Sequence, residues 1–163
     1  MDNSLLGHAL EKGAHNILFV CTGNICRSPV AEYLLQDELN RLHISNIAVR
    51  SAGLLDLGGQ PADSEMIAIG KEHSVDLTAH RSRQVSLEMI ADADIVFVME
   101  TRQKEDLTKL MPKYGDKILL FSVFDYNNYG LNIDDPLGQN RQIYSSCFSR
   151  IYKLTQKLAL HVK

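Results

Sequence analysis

Four short apolar blocks punctuate the chain: "NILFV" (16–20), "IAVRSAG" (47–53), "DIVFVM" (94–99) and "KILLF" (117–121). Their length and their β-branched and aromatic content predict strands. The stretches between them change period. After the first block, Val30, Ala31, Leu34, Leu35, Leu39 and Leu42 recur at three- and four-residue spacings and fall on one face of a helix. Further helices are predicted near 61–73, 85–91, 101–111 and 139–161. This alternation predicts an α/β fold: a single three-layer domain with a four-stranded parallel sheet, helices on both faces, and a loop for chemistry after the first strand. Ser28 followed by Pro29 predicts the start of the first helix, with the serine capping free amides and the proline occupying a position that needs no donor. The longest stretch without periodicity, "SVFDYNNYGLNIDDPLGQN" (122–140), is too long for an ordinary connection and is a candidate functional loop.

Composition narrows the partners. The 163 residues are 45% hydrophobic, enough for one compact core. A net charge of −3, with 17 basic and 20 acidic residues dispersed along the chain, lacks the basic stripe that nucleic acid requires. No apolar run approaches the ~18 residues of a membrane span, and "MDNSLLGHALEKGAH" has none of the parts of a secretory signal. A cytoplasmic protein is expected, with no nucleic-acid partner and no membrane insertion. Three cysteines, two of them on one short loop, argue for free thiols rather than a disulfide framework.

That loop is the chemical centre of the sequence. In an open parallel sheet, ligands bind beyond the carboxyl ends of strands, and Val20–Cys21 is such an end. Thr22, Gly23, Asn24, Ile25 and Cys26 separate Cys21 from Arg27. Five residues are enough to curl successive amides inward as an anion nest above a helix amino terminus, with Gly23 and Asn24 accepting the left-handed angles of such a curl. The same field stabilises a thiolate, which makes Cys21 a candidate nucleophile. The planar fork of Arg27 suits a phosphoryl group as no lysine does. The 122–140 loop also carries two adjacent carboxyls, Asp134 and Asp135.

At "VCTGNICRSPVAE" the chain resembles the low-molecular-weight protein tyrosine phosphatases, and the resemblance continues through "SAG" (51–53), "HRSRQ" (80–84) and "DDPLG" (134–138). It is similar in particular to bacterial members that partner tyrosine autokinases. The resemblance implies a metal-independent phosphatase with no cofactor, acting on phosphotyrosine-containing proteins through phosphocysteine. Residues 16–163 would form the phosphatase domain, with 1–15 a flexible extension. Placed on this sequence, the family's general acid, immediately before proline, is Asp135, with Asp134 a neighbouring charge. Its loop-supporting network falls on Asn24, Ser28, Ser51 and His80, with Ser28 also donating toward the thiolate. Cys26 matches the second cysteine that closes a reversible disulfide with the nucleophile. Cys147, at helical spacing with Ile143, Ile151 and Leu154, is expected to pack only. Tyr126 and Tyr129 are candidates for the pocket mouth or for modification.

The chain departs from the family where Leu137 follows Asp135-Pro136, a position often aromatic in relatives; the expected pocket wall is therefore Leu137 with Leu57. Three rivals share features of the pattern. An arsenate reductase needs further closely spaced cysteines, and only Cys147 follows Cys26. A protein-arginine phosphatase carries threonine where this loop has Ile25, whose aliphatic side chain suits a phenyl ring. A non-hydrolytic phosphocysteine carrier would need no Asp135.

Overall fold

The computed structural model describes residues 15–162, so the extension expected over 1–15 lies, apart from His15, outside the described residues. The four apolar blocks form strands β1 (Asn16–Cys21), β2 (Ala48–Gly53), β3 (Ile95–Val98) and β4 (Ile118–Leu120), all parallel, in the order β2-β1-β3-β4. Every residue of β3, and every residue of β1 after Asn16, is buried. Both are covered on two faces, which is why they read as continuous apolar runs rather than as alternating ones.

Helices α1 (Arg27–Arg41), α2 (Ser64–Glu72), α3 (Leu87–Asp92), α4 (Thr101–Leu110) and α5 (Arg141–His161) cover the sheet, with short 3-10 segments at Pro112–Lys117 and Phe121–Phe124. The two-residue period of β1 sorts its side chains. Ile17, Phe19 and Cys21 join the core built with α1, α2 and α5, whereas Leu18 and Val20 join Ile90 of α3 and Leu107 of α4 on the opposite face. Phe19, wholly buried, meets Phe121 edge-on with ring centroids 5.0 Å apart. Its truncation to alanine should cost about 3–5 kcal/mol.

The order β2-β1-β3-β4 means that the chain leaves β1 for one side of the sheet and later returns to the other. The carboxyl end of β1 is therefore the switch point where a crevice opens. Beyond β2, the Gly53 N–H donates to Arg83 O at 2.8 Å and the Val85 N–H to Gly53 O at 2.8 Å, which draws "HRSRQ" against the same end of the sheet.

Helix starts show how the site differs from the scaffold. Asp63, Ser86 and Asn140 accept backbone amides at the starts of α2, α3 and α5. The helix α1 has no side-chain cap: Cys26 holds the cap position and the helix begins at Arg27, two residues before the predicted start. Ser28 does not cap, because its hydroxyl is engaged with Cys21.

Candidate active site

Asn24 organises the loop between β1 and α1. It takes a left-handed conformation, φ +56°, which an asparagine tolerates better than most residues. Its side chain is fully buried and fully used: Nδ2 donates to Ser28 Oγ at 2.9 Å and Ser51 Oγ at 2.8 Å, and Oδ1 accepts from the Arg83 N–H at 3.0 Å. Its carbonyl pairs with His80 Nε2 at 2.7 Å, and burial holds the imidazole pKa below the ordinary value, so that a neutral ring donates. The four residues expected to support the loop are thus one hydrogen-bonded unit. The unit extends to Glu32, whose carboxylate accepts the Ser51 hydroxyl. Burial, partly countered by Ser51, Arg83 and Arg50, pushes the Glu32 pKa up.

Gly23 does not share the left-handed turn, contrary to expectation. Its hydrogen side faces the loop after β2, where a Cβ would lie 3.0 Å from Leu57 Cδ1. Gly53 is the more demanding position. A Cβ there would stand 2.9 Å from Asn24 N, Gly23 C and Thr22 O, so the loop backbone packs directly on a glycine of β2.

Cys21 is buried, its Sγ 3.0 Å from Ser28 Oγ and accepting the Asn24 N–H at 3.3 Å. Ser28 takes a hydrogen bond from Asn24 Nδ2, which leaves its own proton for Sγ or for Ala52 O at 3.3 Å. The uncapped amides of α1, the adjacent Arg27 and these donors form a field suited to negative charge.

Arg27, only 1% exposed, is held from three directions. Nη1 donates to Glu100 Oε1 and to Ile133 O, the latter at 2.8 Å. Nη2 lies 2.9 Å from Asp135 Oδ2 and 3.5 Å from Thr22 Oγ1. Burial works against the guanidinium charge, but Cys21, Glu100 and Asp135 outweigh it and raise the arginine pKa. Nε is buried and has no hydrogen-bond partner among the described residues.

The loop bearing Asp135 is strapped at both ends. Arg150 of α5 donates from Nε to Asp125 Oδ2 at 3.0 Å, from Nη1 to Asn132 O at 2.7 Å and from Nη2 to Leu131 O at 3.3 Å. The Ile133 N–H reaches Met99 O at the end of β3 at 2.8 Å. Asp135 Oδ1 accepts the Leu137 N–H at 3.2 Å, and Asp134 and Asp135 are both exposed. Leu57 is half-buried against Gly23, and Leu137 is half exposed beyond Asp135. Tyr126 lies exposed on the strap with the Lys157 ammonium 4.8 Å from its ring centre. Cys26 is a buried free thiol whose pKa is pushed far up by burial, with the charges of Asp63 and Asp135 adding to it. Cys147, on the core-facing side of α5, has its pKa pushed up to about 12 by burial.

Glu32, Glu100 and Gln103 belong to this site and were not singled out by sequence reasoning. Glu32 stands four residues after Ser28, hence on the same helical face, and Glu100 directly follows the apolar run of β3 at a ligand-binding sheet edge. Those positions were the available signals.

Comparison with known proteins matches residues 16–163 to the family described as low molecular weight phosphotyrosine protein phosphatase. The low molecular weight protein-tyrosine-phosphatase Wzb of Escherichia coli K12 is 36% identical over 145 residues, covering 89% of this chain and 93% of the relative. The structure of Vibrio vulnificus Wzb in complex with benzylphosphonate superposes with a TM-score of 0.81 at 34% identity, covering 91% of this chain and 99% of that one. The YwlE arginine phosphatase of Geobacillus stearothermophilus superposes equally well, with a TM-score of 0.81 at 32% identity, covering 90% and 91%. Sequence and fold agree: the chain belongs to the low molecular weight phosphotyrosine protein phosphatase family.

Proposed function

We propose that this enzyme hydrolyses phosphotyrosine in proteins, with Cys21 as nucleophile, Arg27 as the phosphoryl-binding group and Asp135 as general acid and then base. The observation that carries the reading is the convergence on one loop: Ser28 Oγ 3.0 Å from Cys21 Sγ, and Asp135 Oδ2 2.9 Å from Arg27 Nη2. A phosphate ester seated on the amides of residues 22–27 would share Arg27 with its dianion. The Cys21 thiolate attacks phosphorus while Asp135 gives its proton to the departing phenolate. Asp135 then accepts a proton from the water that attacks phosphocysteine, and Ser28 donates toward the sulfur as it leaves. Asn24, Ser51 and His80 keep the loop in shape throughout. Cys26 serves as resolving thiol: peroxide converts the Cys21 thiolate to sulfenic acid, and Cys26 displaces its hydroxyl as water to close a disulfide.

Phosphotyrosine is favoured over phosphoarginine by Ile25, an aliphatic residue of the loop itself, together with Leu57 and Leu137, which offer an apolar slot for a ring. The structural likeness to both Wzb and YwlE leaves this choice to side chains rather than to the fold. The resemblance of the sequence to autokinase-linked members supports a tyrosine autokinase as the protein partner. A cytoplasmic setting, where thiols stay reduced, suits a mechanism that needs Cys21 free. Among the described residues no helix is long and apolar enough to cross a membrane.

The test is hydrolysis of phosphotyrosine, phosphoserine and phosphoarginine peptides by the wild type and Cys21→Ser. Turnover of phosphotyrosine alone, abolished by Cys21→Ser, is expected. Preferential turnover of phosphoarginine would overturn the substrate assignment.

A further inference from the structure

Gln103 stands in the first turn of α4, on a helix that carries none of the residues singled out as site candidates. It is 3% exposed, and both ends of its amide are engaged. Oε1 accepts the Met99 N–H at 2.9 Å and the Glu100 N–H at 3.1 Å, ending β3 and opening α4. Two backbone donors on that atom fix the amide orientation, because the flipped amide would set donor against donor. Nε2 is therefore turned toward the phosphate loop, where it donates to Thr22 Oγ1 at 3.2 Å and to Glu100 Oε1 at 3.4 Å.

Both acceptors also receive Arg27. Glu100 Oε1 takes Nη1, and Thr22 Oγ1 lies 3.5 Å from Nη2. A residue that only capped α4 would need its carbonyl and could leave its NH2 to water. Here the NH2 is buried between the two side chains that flank the guanidinium. We propose that Gln103 is a positioning residue for phosphoryl transfer, which sets the plane of Arg27 by fixing Thr22 and Glu100 on either side of it. The inference rests on the reading of Arg27 as the phosphoryl-binding group. Its chemistry is geometric: a planar fork stabilises the spread charge of the transferring phosphoryl only when its plane is aligned, and misalignment costs more in the transition state than in the bound ester.

Two substitutions separate this role from helix capping. Gln103→Glu keeps an acceptor oxygen for the Met99 and Glu100 amides but replaces the donor toward Thr22 Oγ1 and Glu100 Oε1 by a carboxylate oxygen. Gln103→Met loses both and adds no charge. The proposal predicts that both lower kcat at least tenfold on a phosphotyrosine peptide with KM changed less than threefold. A kcat within twofold of wild type in either folded variant overturns it: retention in Gln103→Glu leaves a cap only, and retention in Gln103→Met leaves a charge effect only. Should Gln103→Met fail to fold, a cycle with Thr22→Val decides. The effect of Gln103→Glu must shrink by at least half in the Thr22→Val background, and additivity overturns the proposal. If the wild type turns over no phosphotyrosine, the functional reading has failed separately, and calorimetric affinity for vanadate, an oxyanion that adopts the five-coordinate geometry of the transferring phosphoryl, takes the place of kcat. There both variants must bind at least threefold more weakly, and unchanged affinity overturns the inference.

Discussion

The carboxylate of Asp135 lies 2.9 Å from Nη2 of Arg27, so the proposed proton donor rests on the proposed phosphoryl clamp. A phosphate dianion must then take that guanidinium edge from a carboxylate of the same sign. Asp135→Asn is expected to bind inorganic phosphate more tightly, by about three- to tenfold, an effect on the scale of one partly exposed charge pair. Isothermal titration at neutral pH measures it. Weaker or equal binding would show that the pair does not oppose the ligand.

Gly53 carries the loop on its back. Its missing side chain lets Thr22, Gly23 and Asn24 lie where a Cβ would meet them at 2.9 Å, and all three contacts are backbone atoms that cannot swing aside. Gly53→Ala should cost about 1–3 kcal/mol of stability. It should also lower kcat/KM by at least tenfold, since the displaced amides belong to the anion nest. Thermal unfolding and steady-state kinetics check the two effects together, and an alanine variant of normal activity would refute the close packing.

Glu32 predicts a pH signature. Burial raises its folded pKa above the ordinary 4.5, so the native state holds the proton more tightly than the unfolded chain. Stability from this group is therefore complete below about pH 4.5 and falls as pH climbs through the folded pKa, at no more than about 1.4 kcal/mol per pH unit. Glu32→Gln keeps an acceptor for the Ser51 hydroxyl without the titration. Its Tm relative to wild type should rise as pH is raised above 4.5 and level off above the folded pKa, and a difference independent of pH would contradict this account.

The strands and Cys21 with Arg27 were legible because each announces itself within a few residues. A strand buried on two faces is a short apolar run, and the loop between Cys21 and Arg27 is local by nature. What escaped was set by partners far along the chain. Glu100 meets Arg27 across 73 positions and Gln103 meets Thr22 across 81, and neither carboxylate nor amide looks unusual at the start of an amphipathic helix. Ser28 misled for the same reason. Serine before proline is a good local cap, but the thiol of Cys21 outcompetes the amides of its own helix for the hydroxyl. Gly23 was expected to twist and instead makes room for Leu57, a contact that appears only once the β2 loop folds back.

The central claim is that the phosphoryl group passes through Cys21 with Asp135 supplying the proton, and rapid-quench single turnover on a series of aryl phosphates of graded leaving-group pKa tests it most directly. Acid-quenched wild type should carry one phosphoryl group on the peptide containing Cys21. Asp135→Asn should slow its formation about 10²–10⁴-fold for high-pKa leaving groups and little for low-pKa ones, whereas Asp134→Asn should leave the dependence unchanged. Phosphate release without phosphoryl-Cys21, or a leaving-group dependence untouched by Asp135→Asn, would contradict the account.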